Sequence, residues 1–209
     1  FAAARASVPP HVGGALASRI VAKAQEAGAS LARASTQGAS EQRPLNSGTL
    51  TSLVDGVVHV LPPSQGPQAL GAIRPLLLDL AESRGLVASA VYSVVAAHAH
   101  LQVRDPLLLD ALAGCCPSAS GSGGGAKAER LLASLGMLGL APAPLMAHVD
   151  AELPRVAQRL SLQETGQSLL AAAVLDFKGL SPSAVGALVA RAEHLLGQPE
   201  VGSPSARDA

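Results

Sequence analysis

The stretch that decides the fold is residues 131–153, LLASLGMLGLAPAPLMAHVDAEL. Four leucines recur at helical spacing between Leu131 and Leu138, and a turn with two prolines separates them from a second apolar run that begins at Leu145. Proline fits the first turn of a helix, where its missing N–H is not needed. The stretch therefore predicts a helix, a turn, and a second helix that opens at Pro144.

The same arrangement recurs along the chain. Four of the 15 prolines are spaced almost evenly, at intervals of 39, 38 and 38 residues: Pro67, Pro106, Pro144 and Pro182. Each follows an apolar segment of helical spacing and is predicted to be the first residue of another helix, with Asp105 and Ser181 as suitable N-caps. A fixed period in the range of about 20–50 residues is typical of stacked repeats. The predicted fold is all-α, an α-solenoid of about four helix-turn-helix repeats of about 38 residues.

The apolar residues of each predicted helix fall on one stripe, which we expect to be buried. In the first helices of the four units these stripes are Leu50, Leu53, Val54, Val57 and Leu61; Val91, Val94, Val95, His98 and Leu101; Leu131, Leu132, Leu135 and Leu138; and Leu169, Leu170, Ala173, Val174 and Phe177. In the second helices they are Leu70, Ile73, Leu77 and Leu80; Leu108, Leu109 and Leu112; Leu145, Val149 and Leu153; and Val185, Leu188, Val189, Ala192, Leu195 and Leu196. A repeat unit buries such faces within its pair and against its neighbours.

Composition agrees with an all-α fold. Of the 209 residues 48% are apolar but only 1% are aromatic, and β-branched residues are sparse. Two stretches, Gly85–Val103 and Leu131–Val149, contain no charged residue and are long enough in principle to cross a bilayer. Both stop at or near a repeat proline, so we interpret them as buried helix plus turn and expect no transmembrane segment.

Three regions are predicted. Residues 1–48 form an N-terminal extension with one helix at about Gly14–Ala34, and residues 49–196 form the helical-repeat domain, which a Gly/Ser-rich loop at 117–125 interrupts. Residues 197–209 are predicted to be a flexible tail. The first 25 residues are basic and rich in Ala and Ser, which is the composition of a mitochondrial presequence and favours the mitochondrial matrix. Phe1 is either a processed N-terminus or the first ordered residue.

The charge of the chain is balanced, with 15 basic and 15 acidic residues. A protein that binds nucleic acid by itself usually has a basic excess, so high-affinity RNA binding by this chain alone is not favoured. A sparse basic set still supplies the candidates for contact with RNA phosphates, and the alternative is a solvated face balanced by nearby acids. The candidates are Arg104, Lys127, Arg130, Arg155, Arg159, Lys178 and Arg191.

No arrangement typical of a metal site is found. His98 and His100 are two residues apart, so they point to different faces of a helix, and His98 on the apolar stripe is predicted to be packed. Cys115 and Cys116 are adjacent, a spacing that rarely allows a disulfide, and are predicted to be reduced thiols at a helix end.

No catalytic arrangement is found either. Gly121–Lys127, GSGGGAK, lacks the Gly before and the Ser or Thr after the Lys that a phosphate-binding loop needs, so we interpret it as a linker. Asp150 and Glu152 show no partner base. The sequence predicts no enzyme, no cofactor and no small-molecule substrate.

The unit at 131–153 resembles the octotricopeptide repeat and the related heptatricopeptide and FAST-kinase-like repeats. The matching turns are Leu140–Leu145, Val103–Leu107 and Leu180–Pro182, and the resemblance covers about Leu50–Leu196. It implies helix pairs in an organellar protein that processes or stabilises RNA or is an added subunit of an organellar ribosome.

The function expected from this resemblance is that of a non-catalytic structural subunit of the mitochondrial ribosome, which binds ribosomal RNA and neighbouring ribosomal proteins. Two alternatives stay open at this point. One is an accessory structural subunit of a respiratory or ATP-synthase complex, and the other is a free organellar RNA-maturation factor.

Overall fold

The computed structural model describes residues 47–60, 64–83, 86–116 and 128–197, together with Ala15, Ser18, Arg19, Ala22 and Glu26. These residues form helices and turns and contain no strand, so the prediction of an all-α fold is confirmed. The helices are α1 Ser47–Val60, α2 Gly66–Glu82, α3 Ala88–His100, α4 Pro106–Ala113, α5 Ala128–Leu138, α6 Ala143–Val156, α7 Leu162–Val174 and α8 Pro182–Leu196, with a 3-10 turn at Ala157–Arg159.

Each of the four prolines lies in the first turn of a helix, two at the predicted first position and two one residue later. Pro106 and Pro182 are the first residues of α4 and α8, while Pro67 and Pro144 are the second residues of α2 and α6. The Asp105 carboxylate accepts a hydrogen bond from the Leu108 N–H at 3.1 Å. The Ser181 hydroxyl accepts one from the N–H of Ala184 in the same way, at 3.3 Å, so both predicted N-caps are confirmed.

The connections from α3 to α4, α5 to α6 and α7 to α8 begin with the same hydrogen-bonded motif. A residue with φ between 55° and 64° follows the helix in each case, namely Gln102, Gly139 and Asp176. The next N–H donates to the carbonyl five residues earlier, in the pairs Val103 to His98, Leu140 to Leu135 and Phe177 to Ala172. These are Schellman caps, and equivalent residues lie 37 positions apart along the chain.

The helices pack in two layers. One layer contains α1, α3, α5 and α7, each in contact with the next, and the other contains α2, α4, α6 and α8, which also contact one another in order. Each helix of the first layer also packs on the helix that follows it in sequence. The core lies between and within the layers, and its largest fully buried side chains are mostly leucines of α2, α4, α5 and α6.

The predicted stripes are correct for the first three units. The described members of these stripes are buried, except for Leu53 and Leu101, which are partly buried. Leu61 lies outside the described residues. In the second layer, the stripes of α2, α4 and α6 are buried throughout.

The prediction for the last helix pair is wrong. Leu170 and Val174 of α7 and Phe177 in the turn after it are exposed, and the buried face of α7 consists of small or polar residues such as Thr165, Ser168, Ala171 and Ala172. The physical reason is close packing: a Cβ at Gly136 of α5 would lie 2.6 Å from the Cβ of Ala171. Only small side chains of α7 can approach α5 so closely. On α8, Leu188 is buried, whereas Val189 and Leu196 are exposed.

Several predictions concern residues that the structure does not describe. The loop at 117–125, Lys127 and the tail beyond Gly197 lie outside the described residues. Of the predicted helix at Gly14–Ala34, the five described residues have helical backbone. Among the helices of the described segments, none is both long and apolar enough to span a membrane.

Candidate interaction surfaces

Six of the seven predicted basic residues belong to the described segments, and they lie on two opposite edges of the stack. The turns that join first-layer to second-layer helices form one edge, where a Cβ at Gly139 would lie 3.6 Å from Nη2 of Arg104. Lys178 lies in the corresponding turn between α7 and α8. At the opposite edge, the Arg191 Nε of α8 donates a hydrogen bond at 2.8 Å to the carbonyl oxygen of Leu160, directly after the 3-10 turn.

The remaining candidates belong to this second edge. Arg159 ends the 3-10 turn, Arg155 is near the end of α6, and Arg130 is in the first turn of α5. Arg130 helps to lower the pKa of Glu164 at the start of α7, after the stronger effect of hydrogen bonds from Ser161. The predicted set is therefore divided between two edges and does not form a single basic surface in the described residues.

Two of these basic residues lie beside acidic side chains. Arg155 Nη1 donates to Glu152 Oε1 at 2.8 Å, and Arg130 Nε lies 3.7 Å from Glu129 Oε1. By contrast, Arg104, Arg159 and Lys178 are exposed and form no ion pair with any residue in the described segments. These three side chains are the best placed for an external anion such as a phosphate.

A buried polar contact joins the second and third helix pairs. The hydroxyl of Tyr92 on α3 lies 2.5 Å from Nε2 of His148 on α6, and both side chains are buried. The other ring nitrogen of His148, Nδ1, and one carboxylate oxygen of Glu129, Oε2, are buried without a hydrogen-bond partner. Sequence reasoning missed this contact, because a single Tyr and a distant His carry no spacing signal.

The chemistry of these buried groups is not that of activated catalysts. Burial raises the pKa of Tyr92 to about 12, with smaller contributions from Cys116, Glu152 and Glu129. Burial also raises the pKa of the Cys116 thiol to about 11, and it raises the pKa of Glu129. A thiol is nucleophilic as the thiolate, so Cys116 is held in its unreactive form at neutral pH.

The other groups considered in the sequence are also packed or unclustered. His98 is buried, as predicted, and its Nδ1 lies 2.8 Å from the carbonyl oxygen of Val94, while burial lowers its pKa. Cys115 and Cys116 are partly buried thiols in the reduced form, and the Cys115 Sγ donates to the carbonyl oxygen of Ala81. Within the described ranges, no three His, Cys, Asp or Glu side chains are grouped so that they could hold a metal ion.

An exposed apolar surface lies on the last helix pair of the stack. We call it the terminal surface and define it by the exposed large apolar residues of the last helix pair and its connecting turn, which are Leu162, Leu170, Val174, Phe177, Val189 and Leu196. Leu170 is 67% exposed and Leu196 is 72% exposed. The segment 165–175, which supplies Leu170 and Val174 of this surface, contains no charged residue. Several exposed large apolar side chains on one helix pair are typical of an interaction site.

In comparisons with families of proteins, with characterised proteins and with solved structures, no significant match to this chain is found.

Proposed function

We propose that this chain is an α-solenoid of four helix-turn-helix repeats that acts as a non-catalytic scaffold in a large assembly, the mitochondrial ribosome. The packing of α1 with α3, α3 with α5 and α5 with α7, alongside the matching second layer, supports the repeat architecture. Such stacks present extended surfaces to partners, and their stability comes from contacts between neighbouring repeats.

The observation that carries the proposal is the exposed apolar face of the last helix pair. End repeats of a soluble array normally have a polar outer face. Here Leu170, Phe177 and Leu196 lie on that face instead. A chain with this surface is suited to be covered by other macromolecules and not to act alone in solution.

Contact with ribosomal RNA would be made by the cationic side chains that have no acidic partner among the described residues. Arg104, Arg159 and Lys178 are exposed and unpaired within the described residues. Phosphate contacts of this type supply affinity and salt dependence but do not read sequence. With balanced overall charge, RNA binding would depend on neighbouring subunits as well.

Sedimentation of a mitochondrial lysate, with and without ribonuclease, tests the proposed assembly. We expect the chain to migrate with ribosomal particles and to leave that fraction after ribonuclease treatment. Detergent-stable migration with a respiratory or ATP-synthase complex would refute the proposal. Migration as a free protein that binds short RNA when purified would instead support the RNA-maturation alternative.

A charge-removal variant tests the RNA contacts. Arg104→Gln, Arg159→Gln and Lys178→Gln together should loosen the chain from ribosomal particles at a lower salt concentration than the wild type, because phosphate contacts weaken with salt. The matched control is Arg130→Gln with Arg155→Gln, since Glu129 and Glu152 already occupy these two arginines. Equal salt sensitivity of both variants would contradict the assignment of these three residues.

A further inference from the structure

We propose that Glu129 makes the joint between the third helix pair and its neighbours sensitive to pH: a proton taken up by its buried carboxylate tightens the joint, and loss of that proton at higher pH loosens it. This inference does not depend on RNA binding or on the ribosome. It rests on the burial of this carboxylate, on the acids that surround it, and on its lack of a close buried cation within the described residues.

Glu129 is buried at the start of α5. It is the second residue of this helix and is only 6% exposed, although glutamate is almost never fully buried without a partner. Its Oε2 has no hydrogen-bond partner among the described residues, and its Oε1 lies 3.7 Å from Nε of Arg130, whose side chain is 74% exposed. No Lys or Arg is buried in the described segments. The carboxylate therefore lacks the partner that would compensate the cost of burying its charge.

The groups around Glu129 are mostly acids. Tyr92 of α3 contacts His148 of α6 through its hydroxyl, and burial raises the pKa of Tyr92, with smaller effects of neighbouring acids. Those acids are Cys116, Glu152 and Glu129. The titratable and charged groups that the packed elements place here are Tyr92 of α3, Cys116 after α4, Arg130 of α5, His148, Glu152 and Arg155 of α6, and Glu164 of α7.

The other acids of this group have a partner or stay in one form near neutral pH. Burial keeps Tyr92 and Cys116 neutral, because it raises their pKa values to about 12 and about 11. Glu152 accepts a hydrogen bond at 2.8 Å from an arginine of its own helix. Hydrogen bonds from the N-cap of α7 lower the pKa of Glu164. Glu129 is therefore the acid of this group whose negative charge is both buried and poorly compensated.

The sign of the effect follows from the direction of the pKa shift. Burial raises the pKa of Glu129, and hydrogen bonds from the N–H groups of Glu129 and Arg130 offset only part of this rise. The folded state favours the protonated carboxyl, so its contribution to stability is complete below the ordinary glutamate pKa of about 4.3 and is lost as the pH rises through the folded value. The ionised carboxylate favours local openings that let water reach it, and such openings loosen the contacts of α5 with α3, α6 and α7.

A carboxyl titration of the full chain tests the first step. The side-chain carboxyl carbon of Glu129 is assigned in the NMR spectrum by its absence from the spectrum of Glu129→Gln. Its titration midpoint should lie above the ordinary glutamate pKa. A midpoint at or below that value would overturn the proposal, because the folded state would then favour the ionised form.

Urea unfolding at several pH values tests the effect on stability. Glu129→Gln keeps the shape of the side chain and removes its charge, so its midpoint should exceed that of the wild type at alkaline pH. The two midpoints should converge as the pH falls towards the ordinary glutamate pKa. Other shifted groups, such as His98 and Asp105, contribute equally to both proteins, so the difference isolates Glu129. The matched control is Glu193→Gln on α8, where the glutamate is exposed, and it should follow the wild type. An unchanged or lower midpoint of Glu129→Gln at alkaline pH would overturn the proposal.

Hydrogen exchange locates the effect in the stack. Protection factors are corrected for the intrinsic pH dependence of exchange, and in the wild type they should fall more in α5 than in α2 as the pH rises. In Glu129→Gln this difference between the two helices should disappear. An equal fall in both helices of the wild type, or the same local fall in the variant, would show that Glu129 does not control this joint.

Discussion

Helices α5 and α7 are neighbours in the same layer, yet they bury opposite kinds of side chain. In α5 the leucines at 131, 132, 135 and 138 are buried, since α3, α6 and α7 surround the helix. In α7 the small residues Ala171 and Ala172 are buried, whereas Leu170 and Val174 are exposed. The two helices have similar apolar spacing in the sequence. The difference teaches that periodicity identifies residues that share a face, while the neighbours decide whether that face is covered.

The largest expected effect comes from shortening a buried leucine of α5, and it is compared with the same change at an exposed leucine of α7. Leu132 is fully buried, so Leu132→Ala should lower the free energy of unfolding by about 2–5 kcal/mol through lost burial and a residual cavity. Leu170 is exposed in a single copy, so Leu170→Ala should change it by no more than about 0.5 kcal/mol. Urea unfolding of dilute protein measures both values. Similar losses for the two variants would mean that α7 is covered within one chain, and the comparison would fail.

Much of this fold follows from the sequence. The repeat prolines, the caps Asp105 and Ser181 and the buried stripes of α2 to α6 are local signals, and each was correctly predicted because the residue type imposes the geometry. The three Schellman caps were missed, since Gln102 and Asp176 stand at two of the left-handed positions where glycine is the usual signal. The capping box of Ser161 and Glu164 was also missed.

Less of the candidate surfaces could be predicted. The terminal surface depends on which helix is last in the stack and on the contact of Gly136 with Ala171. Neither feature can be predicted from the spacing of apolar residues along the sequence. The seven basic candidates were chosen by residue type. The acids beside Arg130 and Arg155 are visible in the sequence, but only the fold shows which of the candidates share an edge of the stack. The contact of Tyr92 with His148 joins residues 56 positions apart. Such pairs depend on tertiary packing, which one sequence does not reveal.

Gly136 is covered by Ala171, whereas Gly166 is exposed. Replacing each of these two glycines gives a second test of the comparison, and the two effects should have opposite signs. A Cβ at Gly136 would lie 2.8 Å from the Cα of Ala171, so Gly136→Ala should lower the free energy of unfolding by about 1–3 kcal/mol through overpacking. Gly166→Ala meets no neighbour and should raise it by roughly 0.5–1 kcal/mol. Thermal and urea unfolding of the dilute variants check the signs. A stabilising Gly136→Ala would show that α7 does not approach α5 as closely as described.

The third test concerns the buried contact between Tyr92 and His148, which joins the second and third helix pairs. Tyr92→Phe removes the hydroxyl that contacts Nε2 of His148, whose Nδ1 is already without a partner. An unsatisfied buried polar group costs about 1–3 kcal/mol, so we expect a loss in this range by urea unfolding. The double variant Tyr92→Phe with His148→Leu replaces both polar groups and should recover part of the loss. If the double variant is less stable than Tyr92→Phe alone, the contact is not the source of the effect.

The smallest expected effect concerns the polar contacts that join successive helices of the second layer. Between α6 and α8, Asp150 Oδ1 accepts a hydrogen bond at 2.6 Å from the N–H of Ser181. Between α2 and α4, Arg74 forms an ion pair with Asp105, and its Nη2 also donates to Asp105 Oδ1 at 3.2 Å. The hydrogen bond from Arg74 holds the pKa of Asp105 below its ordinary value. The ion pair of Arg74 with Asp105 therefore makes folding sensitive to acid.

The sign of this pH dependence follows from the direction of the shift. Because the folded state favours ionised Asp105, the stabilisation is present above the ordinary aspartate pKa of about 4 and is lost as the pH falls through the lower, folded value. Asp105→Asn keeps the N-cap but removes the charge, so its unfolding midpoint should fall less than that of the wild type between neutral and acidic pH. The pair is partly exposed, so the difference should be small. Asp110→Asn is the matched control, since Asp110 is an exposed residue of the same helix without an ion pair in the described segments, and it should follow the wild-type curve. Identical acid curves for Asp105→Asn and the wild type would show that the ion pair does not couple these helices.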